Sequence, residues 1–290
     1  MDSTSRSVRL EQYVGYLLRR AYVRAERAAS IALPPPYGMR HLSILALLDD
    51  HGPISQRRLA ALTGVNRTII VQLVDALEDG GLVRRERDAS DRRSYALVLT
   101  DDGRATLRRV TPAMDHAEAL LTANLSASQR TRLAELLGGI VGASVPTGGS
   151  RLRRRCGHLI AHAHLTLRAE GTVRLAPLGL ATRHLAALDG VEAHQPCSQE
   201  VLARELSVSA PVVVGLVDDL VELGLVGRRR NIDDRRRYDL TVTDAGKARL
   251  RKGSRVLGDI DGELRARLGA KAADELRQLL AALLDPPRNA

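Results

Sequence analysis

A gapless internal repeat constrains the fold of this chain more than any other feature of its sequence. The segment LVDALEDGGLVRRERDASDRRSYALVLTDDGRATLRR begins at Leu73, and LVDDLVELGLVGRRRNIDDRRRYDLTVTDAGKARLRK begins at Leu216. The same offset of 143 residues carries Arg40-His41-Leu42 onto Arg183-His184-Leu185. Because this period is far longer than that of solenoid repeats, we interpret it as the duplication of a whole domain.

The repeat predicts two domains joined by a short connector. A length of 290 residues also suggests about two domains. Pro, Gly and Ser cluster in SVPTGGS at 144–150, a composition typical of a flexible connector. We therefore divide the chain into a first repeat at 1–145, a linker at 146–150 and a second repeat at 151–290.

Apolar spacing and capping residues predict the same order of elements in both repeats. In the first repeat, 10–32 and 38–50 show helical spacing, and SQRRLAALTG and NRTIIVQLVDALEDGG are typical of a helix-turn-helix. LVRRERD and SYALVLT are strand-like runs around a charged tip, and two long helices follow. The predicted fold is mainly α with small β-hairpin wings (α+β). It contains two tandem winged-helix domains, with cores at about 38–105 and 180–248.

The composition is basic and is therefore compatible with an anionic partner. The chain has 44 Lys and Arg against 34 Asp and Glu, and all but three of these cations are Arg, which binds phosphate bidentately. A high Arg share is equally explained by genomic base composition.

The sequence has two Cys, no apolar leader and no membrane-length apolar run, so we expect a cytoplasmic protein. We find no phosphate loop, dinucleotide fingerprint or nucleophile elbow, and we predict no catalytic residue and no cofactor.

The two predicted wings carry a shared motif. It comprises Asp88, Asp91, Arg92, Arg93, Leu99, Thr100 and Gly103 in the first repeat, and Asp234, Arg235, Arg236, Thr243 and Gly246 in the second. Asn231 replaces the first Asp in the second repeat, and Val242 replaces the Leu. In these residues both repeats resemble the MarR family of bacterial transcriptional regulators.

The resemblance implies a DNA-binding regulator, typically a repressor released by a ligand. Family members are usually homodimers whose terminal helices interlock and whose wings and recognition helices meet a palindromic site. For this chain, the resemblance implies a monomer that acts as an intramolecular pseudo-dimer on double-stranded DNA. Residues 10–32, residues 110–175 and the C-terminal helices would form the shared hub. We expect the protein to associate with the nucleoid and not with a membrane.

The first repeat offers side chains that can recognise bases. Its recognition helix carries Asn66, Arg67, Thr68 and Gln72, and its wing tip carries Arg92 and Arg93, with Asp91 placed to orient one of them. Arg and Gln can bond guanine and adenine in the major groove, and a wing arginine can enter a minor groove. Ser55, Gln56 and Arg57 are predicted phosphate contacts, although an ordinary helix cap explains Ser55 equally well.

The second repeat departs from this pattern. The residues equivalent to Arg67, Thr68 and Gln72 are Ala210, Pro211 and Gly215. Ser209 is therefore the polar residue at the start of the second recognition helix. Such a helix can touch thymine methyls but discriminates purines poorly. Its wing is rich in cations, and the predicted contacts are Arg228, Arg230, Arg235 and Arg236, with Asp234 as the orienting residue.

This difference supports two hypotheses. In the first, the chain is an asymmetric reader whose first repeat supplies base specificity and whose second supplies backbone and minor-groove affinity. In the second, the chain is a protein-interaction scaffold with one degenerate DNA-binding repeat.

The resemblance also implies a small aromatic or anionic effector between hub and winged core. The candidate pocket residues are Tyr13, Tyr16, Arg20, Tyr37, His41 and His184. Packing in the hub explains Tyr13 and Tyr16 equally well. His158 and His162 have a spacing that suits zinc, but no further ligands are evident near them or Cys156, so we predict no metal site. Neither Cys156 nor Cys197 has the surroundings of a redox sensor.

Overall fold

The computed structural model describes residues 10–63, 65, 67–87, 95–142, 155–230 and 238–285. Both wing tips and the predicted linker at 146–150 fall outside these ranges. Seven predicted site residues are therefore not described: Asn66, Asp91, Arg92, Arg93, Asp234, Arg235 and Arg236.

The described part of the first repeat has the predicted order of elements. They are α1 (Val14–Ala32), α2 (Met39–His51), β1 (Ile54–Ser55), α3 (Gln56–Thr63), α4 (Arg67–Asp79), β2 (Val83–Arg87), β3 (Tyr95–Leu99), α5 (Asp101–Leu121) and α6 (Ala127–Val141).

The second repeat follows the same order. Its elements are α7 (Cys156–Leu175), α8 (Thr182–His194), α9 (Gln199–Leu206), α10 (Ala210–Glu222), β4 (Val226–Arg230), β5 (Tyr238–Val242), α11 (Asp244–Leu268) and α12 (Ala270–Leu284). Helices α4 and α10, and helices α6 and α12, begin and end at the same repeat positions. The structure thus confirms the mainly α fold with two small β-hairpins.

Both hairpins are antiparallel and share one register. Val83 lies opposite Leu99 in the first wing, and Val226 lies opposite Val242 in the second. Strand β1 adds to the first sheet by pairing Ile54 with Leu97. The second repeat keeps this contact as a single bridge between Cys197 and Leu240. Cys197 therefore occupies the structural position of Ile54 and is buried like it.

The Thr-x-x-Gly part of the wing motif has a packing explanation. Thr100 Oγ1 accepts a hydrogen bond from Gly103 N at 3.0 Å and donates one to Gly81 O at 2.8 Å, so it caps α5 and ties it to the turn before β2. At Gly103, a Cβ would lie 2.2 Å from the carbonyl oxygen of Leu82. Thr243 and Gly246 repeat this arrangement with the same hydrogen-bond lengths. Only glycine allows this helix to approach the backbone so closely.

The chain forms two compact units, and each contains one winged core. Unit I comprises Met1–Tyr16 and Leu167–Leu264, and unit II comprises Leu17–Thr166 and Arg265–Ala290. Equivalent residues fill the two cores: Leu185, Leu188, Leu202, Val213 and Leu220 in unit I, and Leu42, Leu45, Leu59, Ile70 and Leu77 in unit II. Each unit therefore combines segments from both sequence repeats.

Carboxylates near the ends of α5 and α11 hold the starts of helices from the other repeat. In unit II, Glu118 accepts hydrogen bonds from the backbone N–H groups of Cys156, at 2.6 Å, and Gly157, at 3.1 Å. In unit I, Asp261 accepts one from Val14 N at 3.0 Å. Glu118 and Asp261 are equivalent positions of the repeat. Each satisfies N–H groups that a helix start leaves without intrahelical partners, and its negative charge suits the helix dipole.

No single helix within the described ranges is both long and apolar enough to cross a membrane. Helices α3 and α4, taken together as a bent pair, meet the length and composition criteria. These two helices form the helix-turn-helix, and their apolar residues Leu59, Ile70 and Val74 are buried in the core of unit II.

Candidate nucleic-acid interface

Helix α4 presents the predicted polar side chains of the first repeat to solvent. Ile70, Val74 and Leu77 bury one face of this helix in the core. The side chains of Arg67, Thr68 and Gln72 are exposed on the other face. The apolar stripe thus fixes which side of the helix is available to DNA.

The residues predicted to contact phosphate lie at the start of α3. Ser55 Oγ accepts a hydrogen bond from Arg58 N at 3.2 Å, so this residue caps the helix. Ser198 Oγ does the same for Val201 N at 3.3 Å in the second repeat. Arg57 is exposed, whereas Gln56 is half-buried and its Nε2 has no hydrogen-bond partner among the described residues. Phosphate contact by these three residues stays a prediction, and Arg57 is the most accessible of them.

In both repeats, ion pairs join the first strand of the wing to the recognition helix. We call these ion pairs the brace, and they were not predicted from the sequence. Arg85 on β2 forms ion pairs with Asp75 and Glu78 of α4. At the equivalent positions, Arg228 on β4 pairs with Asp218 of α10 at 3.0 Å. The Arg228 guanidinium also lies 4.5 Å from the centre of the Tyr238 ring. The sequence contains one sign of this brace, because the Asp and the Arg recur at the repeat offset. That recurrence does not show that the strand carrying the Arg lies against the helix carrying the Asp.

The brace adds a structural role to Arg228, and its predicted contact with DNA stays a prediction. Its charge is already paired with Asp218, and its guanidinium packs on Tyr238, so it holds the wing against the recognition helix. Arg230, predicted alongside it, is exposed at the end of β4, as is Arg229. All three arginines of this strand, Arg228 included, are exposed.

Helix α10 presents an apolar face where α4 presents a polar one. Ser209 is its N-cap residue and makes no side-chain capping hydrogen bond. Ala210, Pro211 and Gly215 are exposed at the positions of Arg67, Thr68 and Gln72. Val212 and Val214 are also exposed, at 55% and 41% of their surface. The two helices therefore offer opposite chemistry at these three equivalent positions, whereas Val212 and Val214 correspond to Ile69 and Val71 and are apolar in both repeats.

The six residues predicted to form an effector pocket are divided between the two units. Tyr13 and Tyr16 pack against the core of unit I, and Tyr37 packs against the core of unit II. His41 Nδ1 accepts a hydrogen bond from Gly38 N at 3.3 Å, and His184 Nδ1 accepts one from Ala181 N at 3.1 Å.

These contacts give both histidines a capping role at the starts of α2 and α8. Arg20, the sixth predicted residue, is exposed. The assignment of these six side chains to one pocket stays a prediction.

Unit II contains two adjoining cavities that the sequence did not indicate. Each has an empty volume of about 440 Å³, part of it open to solvent. Met39, Ser43 and His158 line both of them. The other ionisable side chains around them are Glu118 and Arg155 in the first, and Tyr22, Glu26, Arg40 and His162 in the second.

The polar groups around these cavities are organised. Arg155 pairs with Asp115 at 2.8 Å through Nη2, whereas its buried Nη1 has no hydrogen-bond partner among the described residues. Arg40 donates a hydrogen bond of 2.6 Å to Tyr22 Oη, and the Tyr22 ring stacks on His164 with 5.0 Å between ring centres. Burial lowers the pKa of His158 to about 4, and His162 adds to this effect. His158 is therefore neutral at physiological pH.

The thiols and imidazoles do not assemble a metal centre in the described part of the chain. No group of three or more His, Cys, Asp or Glu side chains is found there that could hold a metal ion. Burial and the nearby Glu118 raise the pKa of Cys156 to about 12, and burial also raises the pKa of Cys197. Both thiols are thus protonated and enclosed, which disfavours redox chemistry.

Comparison with known proteins agrees with this geometry. Two family models, both described as "MarR family", match the chain, one at residues 39–95 and the other at residues 178–237. The transcriptional repressor NicR of Pseudomonas putida is 33% identical over 138 residues, which cover 47% of this chain and 86% of NicR. The chain belongs to the MarR family.

Other relatives also match about half of this MarR-family chain. The repressor Rv2887 of Mycobacterium tuberculosis is 28% identical over 127 residues, which cover 44% of this chain and 91% of Rv2887. Among solved structures, the repressor CouR bound to a 23-mer DNA duplex has 28% identity and a TM-score of 0.41, and covers 43% of this chain and 89% of CouR. The Rv2887 complex with p-aminosalicylic acid has 26% identity and a TM-score of 0.38, and covers 43% of this chain and 95% of that structure.

The family is one of transcriptional regulators. This MarR-family chain is therefore a DNA-binding regulator and not an enzyme. Its two family matches in one polypeptide confirm the tandem arrangement expected from the repeat.

Proposed function

We propose that the chain is a ligand-responsive repressor whose two repeats act as the halves of one dimer on an asymmetric pseudo-palindrome. The observation that carries this proposal is the pair of helix-turn-helix and wing modules, alike in backbone and brace but unlike in their exposed side chains. Two such modules need half-sites about one helical turn apart. The covalent link makes a separate dimerisation step unnecessary, so the active species would be a monomer in the cytoplasm, associated with the nucleoid.

In this proposal the first repeat supplies base specificity. Exposed Arg67 and Gln72 can form paired hydrogen bonds with guanine and adenine in the major groove. Asn66 would stand at the start of the same helix. Arg92 and Arg93 would enter the minor groove, with Asp91 orienting one of them. In the second wing, Arg230, Arg235 and Arg236 would bind the backbone and the minor groove, with Asp234 as the orienting residue.

Selection of bound duplexes from a random pool tests the proposal. We expect an enriched site with two half-sites of unequal information content, and binding that weakens steeply as salt rises. Arg92→Ala combined with Arg93→Ala should weaken binding roughly tenfold or more. Arg130→Ala, an exposed arginine on α6, is the matched control and should bind as the wild type does. Equal intolerance of both half-sites to base changes would contradict the asymmetry.

The exposed apolar face of α10 favours a second candidate, a protein-interaction scaffold. Val212 and Val214 are the observation behind it. A scaffold should show no salt-sensitive binding to any duplex. Electrophoretic mobility shift with random-sequence duplex at rising salt therefore separates the two candidates.

The cavities of unit II support the ligand response. Buried Arg155 Nη1 borders the first cavity without a hydrogen-bond partner among the described residues, so it is suited to a carboxylate. We expect p-aminosalicylate to release the chain from its selected duplex and to raise its melting temperature. Arg155→Met keeps the aliphatic packing and should abolish both effects. Release that persists in this variant would rule out the cavity as the effector site.

A further inference from the structure

Three buried polar atoms around the cavities of unit II have no hydrogen-bond partner among the described residues. Arg155 Nη1 lies beside the first cavity, and Glu26 Oε1 and His162 Nδ1 lie beside the second. His162 is only 3% exposed. An unpaired polar atom in the interior costs free energy, so most such atoms in folded proteins have a partner. These three atoms therefore indicate a ligand that carries polar groups.

The first cavity suits a carboxylate joined to an apolar body. Nη2 of Arg155 pairs with Asp115 at 2.8 Å, which fixes the guanidinium and leaves Nη1 beside the cavity. Glu118 also lines this cavity, but both of its carboxylate oxygens accept backbone N–H groups, those of Cys156 and Gly157. Most of the remaining lining side chains are apolar. A ligand carboxylate would pair with Nη1 through a charge-assisted hydrogen bond.

The helix starts of the two units can be compared position by position. In unit II, Glu118 accepts a hydrogen bond from Gly157 N at 3.1 Å. In unit I, Asp261 accepts one from Val14 N at 3.0 Å. Each residue of the second pair lies at the repeat offset from its counterpart in the first, so both units keep the register of these helices. Differences between the units at these places are therefore differences of side chain.

Unit I lacks four of the ionisable groups that lie in or beside the cavities of unit II. The residues at the equivalent positions are Gln12 for Arg155, Gly258 for Asp115, Gly15 for His158 and Ala169 for Glu26. Tyr13 packs against the core of unit I beside Gly258, where an added Cβ would lie 3.7 Å from the Tyr13 hydroxyl oxygen. Gln12 is exposed. At these positions unit I therefore offers neither a guanidinium for a carboxylate nor the aspartate that would hold it.

The second cavity of unit II reaches the recognition helix of the first repeat. Ile70 and Leu73 of α4 line it, together with Thr63 at the end of α3 and Val65 just after that helix. The same recognition helix exposes Arg67 on its other side. A ligand that extends from the first cavity into the second would contact the helix-turn-helix from its buried side.

We propose that the chain takes a single carboxylate effector, bound in unit II, and that this ligand controls the first repeat alone. The inference deepens the proposed function and rests on it, because it assumes that the cavities of unit II form the effector site. A homodimer has two identical halves and would take one effector in each. In the fused chain the halves would differ: the first repeat reads bases and responds to the ligand, and the second supplies affinity for the DNA backbone.

Isothermal titration calorimetry of the full chain with p-aminosalicylate counts the effector sites without DNA. We expect one site per chain. Arg155→Met should lower the affinity about tenfold or more, because it removes the charged partner of the carboxylate. Gln12→Met is the matched control at the equivalent, exposed position of unit I, and it should keep the affinity and the single site. Circular dichroism and the melting temperature without ligand check that both variants fold.

Short duplexes that carry one half-site each locate the response to the ligand. They are taken from the selected site, and binding is measured at low salt with and without p-aminosalicylate. Arg67→Ala identifies the half-site of the first repeat, because only that half-site should lose affinity in this variant. We expect p-aminosalicylate to weaken binding to that duplex about fivefold or more and to leave binding to the other unchanged. Equal weakening of both would overturn control of the first repeat alone.

The outcomes separate this inference from the proposed function. Two sites per chain, an unchanged affinity in the Arg155 variant, or a loss of affinity in the Gln12 variant overturns the inference and leaves the ligand response intact. No binding of p-aminosalicylate at all overturns both the inference and the ligand response, whereas binding to the selected duplex still tests the regulator. Failure to bind any duplex overturns the proposed function itself.

Discussion

Arg132 and Glu275 occupy the same position of the two repeats and bind each other. Nε and Nη2 of Arg132 lie 3.0 and 2.9 Å from the same carboxylate oxygen of Glu275. Helices α6 and α12 of unit II therefore pack with equivalent positions facing each other, as they would across the two-fold axis of a homodimer. In a homodimer of either repeat, two arginines or two glutamates would face each other here. The fused chain places opposite charges there instead.

Reversing one charge of this pair should lower thermal stability. Arg132→Glu would place three carboxylates together, because Arg132 also pairs with Glu135 at 3.0 Å, and Glu275→Arg would place two guanidinium groups together. Both side chains are partly exposed, so we expect modest losses that shrink at high salt. The double variant should recover most of the wild-type melting temperature. Differential scanning calorimetry at low and high salt measures this, and additive losses in the double variant would contradict the pairing.

Gly246 should be intolerant of any side chain. An added Cβ would lie 2.1 Å from the carbonyl oxygen of Leu225, and backbone cannot yield as a flexible side chain can. We expect Gly246→Ala to lower the free energy of unfolding by about 3 kcal/mol. Gly262→Ala in the same helix is the control, because a Cβ there meets nothing within 4 Å. Chemical denaturation measures both, and equal stabilities of the two variants would disprove the packing explanation.

Glu118 should stabilise the start of α7. Glu118→Gln removes the charge and replaces one carboxylate oxygen with an NH2 group, so only one of the N–H groups of Cys156 and Gly157 keeps an acceptor. We expect a loss of about 1–2 kcal/mol in the free energy of unfolding. His116→Gln, an exposed change on the same helix, should have no effect. Hydrogen exchange at 156–160 reports the local consequence, and unchanged protection there would contradict a capping role.

His158 should make stability fall in mild acid. Burial lowers its pKa in the folded chain to about 4, so the folded state binds fewer protons than the unfolded state between about pH 4 and 6.5. Its contribution is therefore fully present above pH 6.5 and is lost as the pH falls towards 4. The charged or titratable groups around it are Glu118, Arg155, Tyr22, Glu26, Arg40 and His162.

His158→Gln removes this titration and should flatten the dependence of the melting temperature on pH in that window. His194→Gln is the control, because His194 is an exposed histidine of unit I. A pH profile that is unchanged in the His158 variant would show that another group controls the acid response.

Residue patterns alone were enough to establish the duplication, the order of elements and the exposed face of each recognition helix. These properties are local: apolar periodicity decides which side of α4 or α10 is buried, and the repeat offset aligns the two. The opposite chemistry of Arg67 and Ala210 could be identified for the same reason. The wing motif was also recognised, although its explanation, a cap at Thr100 and a close approach at Gly103, required coordinates.

Which elements pack against each other could be read only from the coordinates. Periodicity shows that a helix has an apolar face but does not identify the partner of that face. Glu118 capping α7, Tyr22 stacking on His164 and Arg132 pairing with Glu275 all join residues from different sequence repeats. For the same reason the cavity-lining residues Arg40, Glu118 and Arg155 went undetected. Whether a histidine such as His41 faces a ligand or caps a helix depends on the backbone around it, which residue type and spacing do not specify.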